Sequence, residues 1–215
     1  MDNMESGIPE FQQSSNEPNS DQNAAQKKSS AKKTILTYLH DFVFWLASIL
    51  LVFTLLFRVV IVSGPSMKMT LQNGDYILLL SNIFYNEPKN GDIVVACKES
   101  FRDGEPIIKR VIATEDQEVD INFNTGIVYV DGKPLDEGYT NTPTSLYEGI
   151  DFPLTVPKGC VFVMGDNRNH SKDSRDPEIG FIDTREILGK AIFILFPGMD
   201  EDIKVRKFDR IGALS

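Results

Sequence analysis

The sequence predicts a mainly β domain of antiparallel, barrel-like sheets, preceded by one transmembrane α-helix. Three observations carry that reading. Residues 42–62, FVFWLASILLVFTLLFRVVIV, hold a single charge, Arg58, and as a helix would run about 30 Å, the thickness of a bilayer's hydrocarbon core. After Val62, short runs rich in Val, Ile, Phe and Tyr alternate with turn signals such as Asn73-Gly74, Asn90-Gly91 and Asp131-Gly132. No stretch in that part keeps a helical period for long.

Residues 1–41 are expected to form a disordered tail. Up to about residue 33 they are Ser, Asn, Gln, Asp and Glu with almost no aliphatic content, too little to offset the entropy of ordering. Lys27, Lys28, Lys32 and Lys33 form a basic cluster just before the apolar run, whereas the flank beyond it is mixed and acidic. That asymmetry predicts a cytoplasmic N-terminus and a single pass, with residues 63–215 facing outward. The span lacks a polar stripe, unlike a buried soluble helix, and lies too far along the chain for a signal-peptide apolar region. Arg58, near its far end, can snorkel to the headgroups.

The strands are expected at Asp75–Leu80, Asp92–Ala96, Ile107–Ile112, Gly126–Val130, Val161–Met164 and Ala191–Phe196. From Ser63 onward 25 Asp and Glu face 17 Lys and Arg, which argues against nucleic acid and against an anionic lipid surface as partners. Cys97 and Cys160 each sit in an apolar run and read as buried thiols, with a disulfide left open. Two cysteines and two histidines without paired spacing hold no metal. Leu78–Leu80 and Ile83–Tyr85 read either as core or as an apolar edge resting on a membrane.

The stretch Val62-Ser63-Gly64-Pro65-Ser66-Met67-Lys68-Met69-Thr70-Leu71 places a serine after a Gly-Pro turn, four residues past the span. A serine hydroxyl needs a base. His40 lies on the wrong side of the span, and His170 stands in a polar loop. A buried lysine can serve if burial disfavours its charged form. Lys109 alternates with Ile107 and Val111 on an apolar face, against the alternative of a snorkelling surface side chain, and Lys68 is a rival by proximity only. The loop Gly165-Asp166-Asn167-Arg168-Asn169-His170-Ser171-Lys172-Asp173-Ser174-Arg175 is either an ordinary polar loop or a buried ion-pair network beside a site.

Ser66-Met67 after a span, Lys109-Arg110-Val111, and the GDNRxxSxDSR loop from Gly165 to Arg175 together resemble the bacterial type I signal peptidase (leader peptidase) family, Ser-Lys dyad serine proteases. The resemblance implies that Ser66 is the acylating nucleophile and Lys109 the general base, and that Ser171 orients the lysine amine. It further implies that Gly165, Asp166, Asn167, Arg168, Asp173, Ser174 and Arg175 brace the site, and that Met67 and Leu71 shape small apolar pockets. The implied activity is removal of signal peptides from exported preproteins after small residues, at Ala-x-Ala-like sites, without cofactor. The implied setting is the bacterial cell membrane, in contact with the bilayer and the secretion translocon. Two positions depart from the family pattern. Met69 stands where the family usually has proline, which removes a φ constraint. Gly64 replaces a serine found in some members, leaving the oxyanion hole to backbone N–H groups, chiefly that of Ser66. Two other readings stay open: an idle membrane-anchored binding protein of the same fold, and a self-processing Ser-Lys protease.

Overall fold

A computed structural model describes residues 20–140, 142–200 and 203–214, with side chains from residue 33 onward apart from Arg102. The expected disordered tail lies outside the described residues over 1–19, but residues 20–41 are helical and belong to α1, Ser20–Leu56. Good helix formers (Ala24, Ala25, Gln26, Lys27, Lys28) fill its start, and neither Gly nor Pro interrupts the chain between Pro18 and Gly64, so helix propagates back from the apolar segment. Within α1, Lys33–Leu56 is long and apolar enough to cross a membrane.

The helix stops six residues before the expected end of the span. Phe57–Ile61 forms strand β1 instead, because Val59, Val60 and Ile61 are β-branched and find a partner strand, with Phe57 opposite Leu80 and Ile61 opposite Tyr76. Arg58 therefore lies on a strand, exposed, and not in a span. The chain divides into two compact units at Leu50/Leu51.

The β unit has eleven further strands: β2 Tyr76–Ser81, β3 Ile93–Cys97, β4 Pro106–Thr114, β5 Glu118–Asn122, β6 Ile127–Val130, β7 Lys133–Pro134, β8 Leu154–Thr155, β9 Cys160–Met164, β10 Ile182–Asp183, β11 Ile187–Phe196 and β12 Gly212–Ala213. One sheet runs β1-β2-β11-β3-β4-β9-β10, with β12 beside β11, and a second runs β7-β6-β5-β8. Every pairing is antiparallel. The larger sheet curls without closing: Lys98 Nζ donates to the Phe181 carbonyl at 2.9 Å and pairs with Glu186, drawing the ends of β3, β10 and β11 together. Strand β11 begins four residues earlier than expected. Gly189 disguises its start, yet only glycine fits there, since a Cβ would lie 2.2 Å from the Leu80 carbonyl oxygen.

Strand β3 is buried on both faces. Val94 and Ala96 pack with Ile107, Val111, Val163 and Ile182, while Ile93 and Val95 pack with Met67, Leu71, Ile77 and Leu79. Leu79 and Tyr85 thus serve as core, whereas Ile83 and Phe84 of the same stretch are exposed. A third cluster joins Ile112, Phe162 and Met164 to Val119, Ile121, Val128 and Val130 of the smaller sheet. Cys97 and Cys160 are both free, half-buried thiols, pushed up in pKa by burial.

Candidate active site

Residues 66–70 form a tight turn between β1 and β2. Val62 and Asp75 close its base through Val62 N–H to Asp75 O and Gly74 N–H to Val62 O, both 2.8 Å. Inside it, Leu71 N–H donates to Met67 O at 2.8 Å and Lys68 N–H to Pro65 O at 2.9 Å. Gly64 precedes the turn with φ 91°, a conformation that glycine adopts without strain, and its N–H donates to Asn73 Oδ1 at 3.2 Å. Met67 and Leu71 anchor the turn in the core, 1% and 0% exposed.

Strand β4 carries Lys109 between β3 and β9, opposite Val94. On its face Ile107 and Val111 flank it in one apolar cluster, as the alternation predicts. Lys109 is 5% exposed, and its Nζ lies 2.9 Å from Ser66 Oγ and 3.2 Å from the Ile108 carbonyl oxygen. Ser66, Lys109, Gly64, Met67 and His170 line a cleft of about 530 Å³. A larger cavity of about 600 Å³, beside Tyr76 and Phe196, holds neither Ser66 nor Lys109. Lys68 lies in the turn and does not line the Ser66–Lys109 cleft, and His170 is exposed at its rim. Among the described residues no group of three His, Cys, Asp or Glu side chains is arranged around a metal position.

The 165–175 loop buries Asp166, Arg168, Asp173 and Arg175, while Lys172 stays partly exposed. Asn167 N–H donates to Ser66 O at 3.0 Å and its Nδ2 to Pro65 O at 3.1 Å, so the loop grips the nucleophile's own backbone. Gly165 passes so close that a Cβ would lie 2.5 Å from Ser66 O and 2.2 Å from Ser171 Oγ. Asp166 accepts two bonds from Arg110, 2.9 and 2.8 Å, and one from Thr70 Oγ1 at 2.5 Å. Asp173 accepts from Arg175 (2.8 and 2.9 Å) and from Gly165 N–H (2.9 Å). Burial pushes the Asp173 carboxyl up, but the Arg175 guanidinium outweighs it and holds the group below the usual carboxylate range. Ser174 Oγ accepts from Val163 N–H at 2.9 Å, and Arg168 donates to the Gly165 carbonyl at 3.2 Å. The network alternative, not the ordinary loop, is what folds.

Two expectations change, and the departure at Met69 gains its reason. Ser171 sits beside Ser66 and Gly165, but its buried Oγ has no hydrogen-bond partner and does not bond the Lys109 amine. Leu71 lies wholly in the core beneath the turn and does not line the cleft, because its side chain packs with Ile77 and Leu79; Met67 lies in the core too but also reaches the cleft wall. Met69, at the proline position, has φ 97° and is exposed; proline, locked near −65°, could not adopt this turn.

Sequence reasoning missed two supports. Asp75, 0% exposed, accepts Gln72 N–H (2.7 Å), Gly198 N–H (2.7 Å) and Arg210 (2.9 and 2.6 Å), while Arg210 also bonds Thr70 O at 3.2 Å. Asp75 follows Asn-Gly and reads as turn punctuation, and Arg210 is 135 residues away. The segment from Glu137 to Glu148 likewise wraps the 165–175 loop: Arg168 bonds Glu137 Oε1 (2.5 Å) and Thr144 Oγ1 (3.0 Å), and Asn169 Oδ1 accepts Ser145 and Leu146 N–H at 3.0 Å each. No residue type in that segment announces the role.

An alcohol in contact with a buried amine, at the floor of an open cleft on a β scaffold, is the equipment of a serine hydrolase that works without histidine. The sequence model of the family described as "Signal peptidase, peptidase S26" matches residues 35–196. The chain is 31% identical to signal peptidase I of Bacillus licheniformis over 184 residues, 80% of this chain and 94% of that one. It is 35% identical to signal peptidase I T of Bacillus subtilis over 179 residues, covering 78% and 90%. With the probable signal peptidase I-1 of Synechocystis sp. it shares 39% over 144 residues, covering 63% and 69%. The chain belongs to the signal peptidase S26 family, whose members are serine endopeptidases, and its apolar helix fits the family's membrane anchoring.

Proposed function

We propose that this chain removes signal peptides from exported preproteins after small residues, with Ser66 as nucleophile and Lys109 as general base. The 2.9 Å contact between a hydroxyl and a 5%-exposed amine carries the reading. Burial disfavours the ammonium form, so a neutral Nζ takes the Ser66 proton as Oγ attacks the scissile carbonyl carbon. The tetrahedral intermediate collapses, the C–N bond breaks, and Lys109 returns the proton to the leaving amine. Neutral again, Lys109 Nζ takes a proton from water as the water oxygen attacks the acyl ester, the ester C–O bond breaks, and Nζ passes that proton to the departing Ser66 Oγ. No described hydrogen bond uses the Ser66 N–H, which supports its role as the oxyanion donor, with Gly64 giving the backbone access.

The substrate docks as an extended strand in the cleft, where Met67 shapes the small-residue pocket. The basic cluster before the helix supports a cytoplasmic N-terminus and an outward catalytic domain. Exposed Ile83 and Phe84, and separately Tyr76, Phe196 and Phe208, support contact with the bilayer, and a substrate emerging from the secretion translocon meets Ser66 ten residues after α1. The test is cleavage of a preprotein bearing Ala-x-Ala by the full chain in phospholipid vesicles. Wild type cleaves, whereas Ser66→Ala and Lys109→Met do not, and activity rises with pH through the pKa of Lys109. Cleavage by Ser66→Ala, or none by wild type, would refute the assignment.

A further inference from the structure

An aromatic ring forms part of the boundary of the buried network around the nucleophile. Tyr139 lays its ring against Arg110, the neighbour of Lys109 on β4, with the guanidinium carbon 4.1 Å from the ring centroid. Beyond them lies a cavity of about 350 Å³ that Tyr139, Arg110, Asn90 and Lys190 line. Arg110 is nonetheless 2% exposed. The ring is held in turn: Tyr139 Oη donates to Glu137 Oε1 at 3.3 Å, the oxygen that also accepts Arg168.

What Arg110 does from behind this ring reaches the nucleophile in three steps. It donates to both oxygens of Asp166, Asp166 Oδ2 accepts Thr70 Oγ1, and Thr70 closes the turn that Ser66 opens. It also donates to Gly91 O at 2.7 Å, which ties the β4 side of the pair to the loop before β3. A guanidinium–carboxylate pair holds one geometry when water is excluded and loosens when water competes for its donors. An aromatic face excludes water while still attracting the cation.

We propose that Tyr139 is a positioning residue for the Ser66–Lys109 pair: its ring covers one face of the Arg110 guanidinium, limits the water that reaches it from the cavity both side chains line, and so keeps the Arg110–Asp166–Thr70 chain in the arrangement that sets Ser66 Oγ against Lys109 Nζ. The proposal rests on the Ser66–Lys109 reading above. It also gives the 137–148 segment a purpose, since Thr144, Ser145 and Leu146 fasten the segment that carries the ring to the loop that holds Ser66 O.

The test uses the full chain in vesicles, once wild-type cleavage and Ser66→Ala silence have established the underlying reading. Tyr139→Leu keeps the bulk and removes the π face; it should lower kcat roughly tenfold to a hundredfold with little change in KM, as a displacement of the reacting atoms does. The acidic limb of its pH–rate profile should move to higher pH, because water admitted near the pair lets Lys109 keep its proton. Tyr139→Phe, which keeps the ring over Arg110, should restore kcat. Val128→Ala, in the core of the smaller sheet, is the control for general destabilisation and should leave kcat and the profile unchanged. Tyr139→Met, with the same expected outcome, serves if leucine impairs folding. Wild-type kcat in the leucine and methionine variants, equal losses in Val128→Ala, or failure of phenylalanine to restore turnover would each overturn the proposal while leaving the Ser66 assignment intact.

Discussion

Strand β4 joins two regions held together by opposite means. Toward its start, Lys109 meets Ser66 and Arg110 meets Asp166, and behind them Arg168, Asp173 and Arg175 are all 0% exposed. Past the bulge after Val111, Ile112 and Ala113 meet Phe162, Met164 and the apolar face of the smaller sheet. Phe162 there stacks edge-on against Phe152 and Phe181, ring centroids 5.8 and 6.2 Å apart. Apolar burial stabilises strongly but has no direction, so its side chains tolerate small shifts. Buried ion pairs contribute little net stability, because desolvation offsets their attraction, yet each bond fixes a position. The difference teaches that one end of the strand supplies stability and the other supplies geometry.

The largest effect should come from dissecting the polar end. Asp166→Leu alone strands Arg110 and should cost about 3–5 kcal/mol in urea unfolding. Adding Arg110→Met should recover most of that stability, while turnover stays down roughly a hundredfold because Thr70 has lost its anchor. Turnover that returned together with stability would break the comparison. At the apolar end, Phe162→Ala should cost about 3–5 kcal/mol, with kcat per folded molecule unchanged. A fall in that kcat would make the two ends one unit.

A smaller effect would sharpen the comparison. Glu148 lies 3.5 Å from Arg175 Nε, and its buried Oε2 has no hydrogen-bond partner. Burial first, then the charge of Asp173, pushes its carboxyl from 4.5 up to about 7. The folded state therefore binds this proton more tightly than the unfolded chain. The stabilisation is present below about 4.5 and is lost as pH rises through about 7. Glu148→Gln, which keeps the uncharged form, should raise the melting temperature above neutral pH by a few degrees and flatten its decline with pH. An identical pH dependence in both proteins would show that Glu148 is free of this strain.

Much of the fold could be read from local pattern. The β-rich runs found their places within a few residues, because alternating apolar positions leave one sensible face to bury. The boundary of the helix could not be read, since Phe57–Val62 is as apolar as the helix before it, and only pairing with β2 selects strand. Strands β7, β8, β10 and β12 carry two residues each, too few to show a period, whereas the alternation of Glu118–Asn122 in β5 is in the sequence, though the expected strands omit it. At the site, Ser66, Lys109 and the 165–175 loop were legible as motifs. Asp75 with Arg210, and Tyr139 with Arg110, were not, because neither pair is close in sequence or distinctive in residue type.

The chain's own order of residues determined the apolar helix, the β character of the residues beyond it, the serine after a Gly-Pro turn and the lysine between two aliphatic neighbours. Those depend on composition and period, which are local quantities. Only the tertiary structure decided that helix yields to strand at Phe57, that Ser171 leaves the amine unbonded, and that Leu71 is floor to the turn and not a wall of the cleft. Each of these turns on a distance between groups far apart in the chain, and such distances are set by packing.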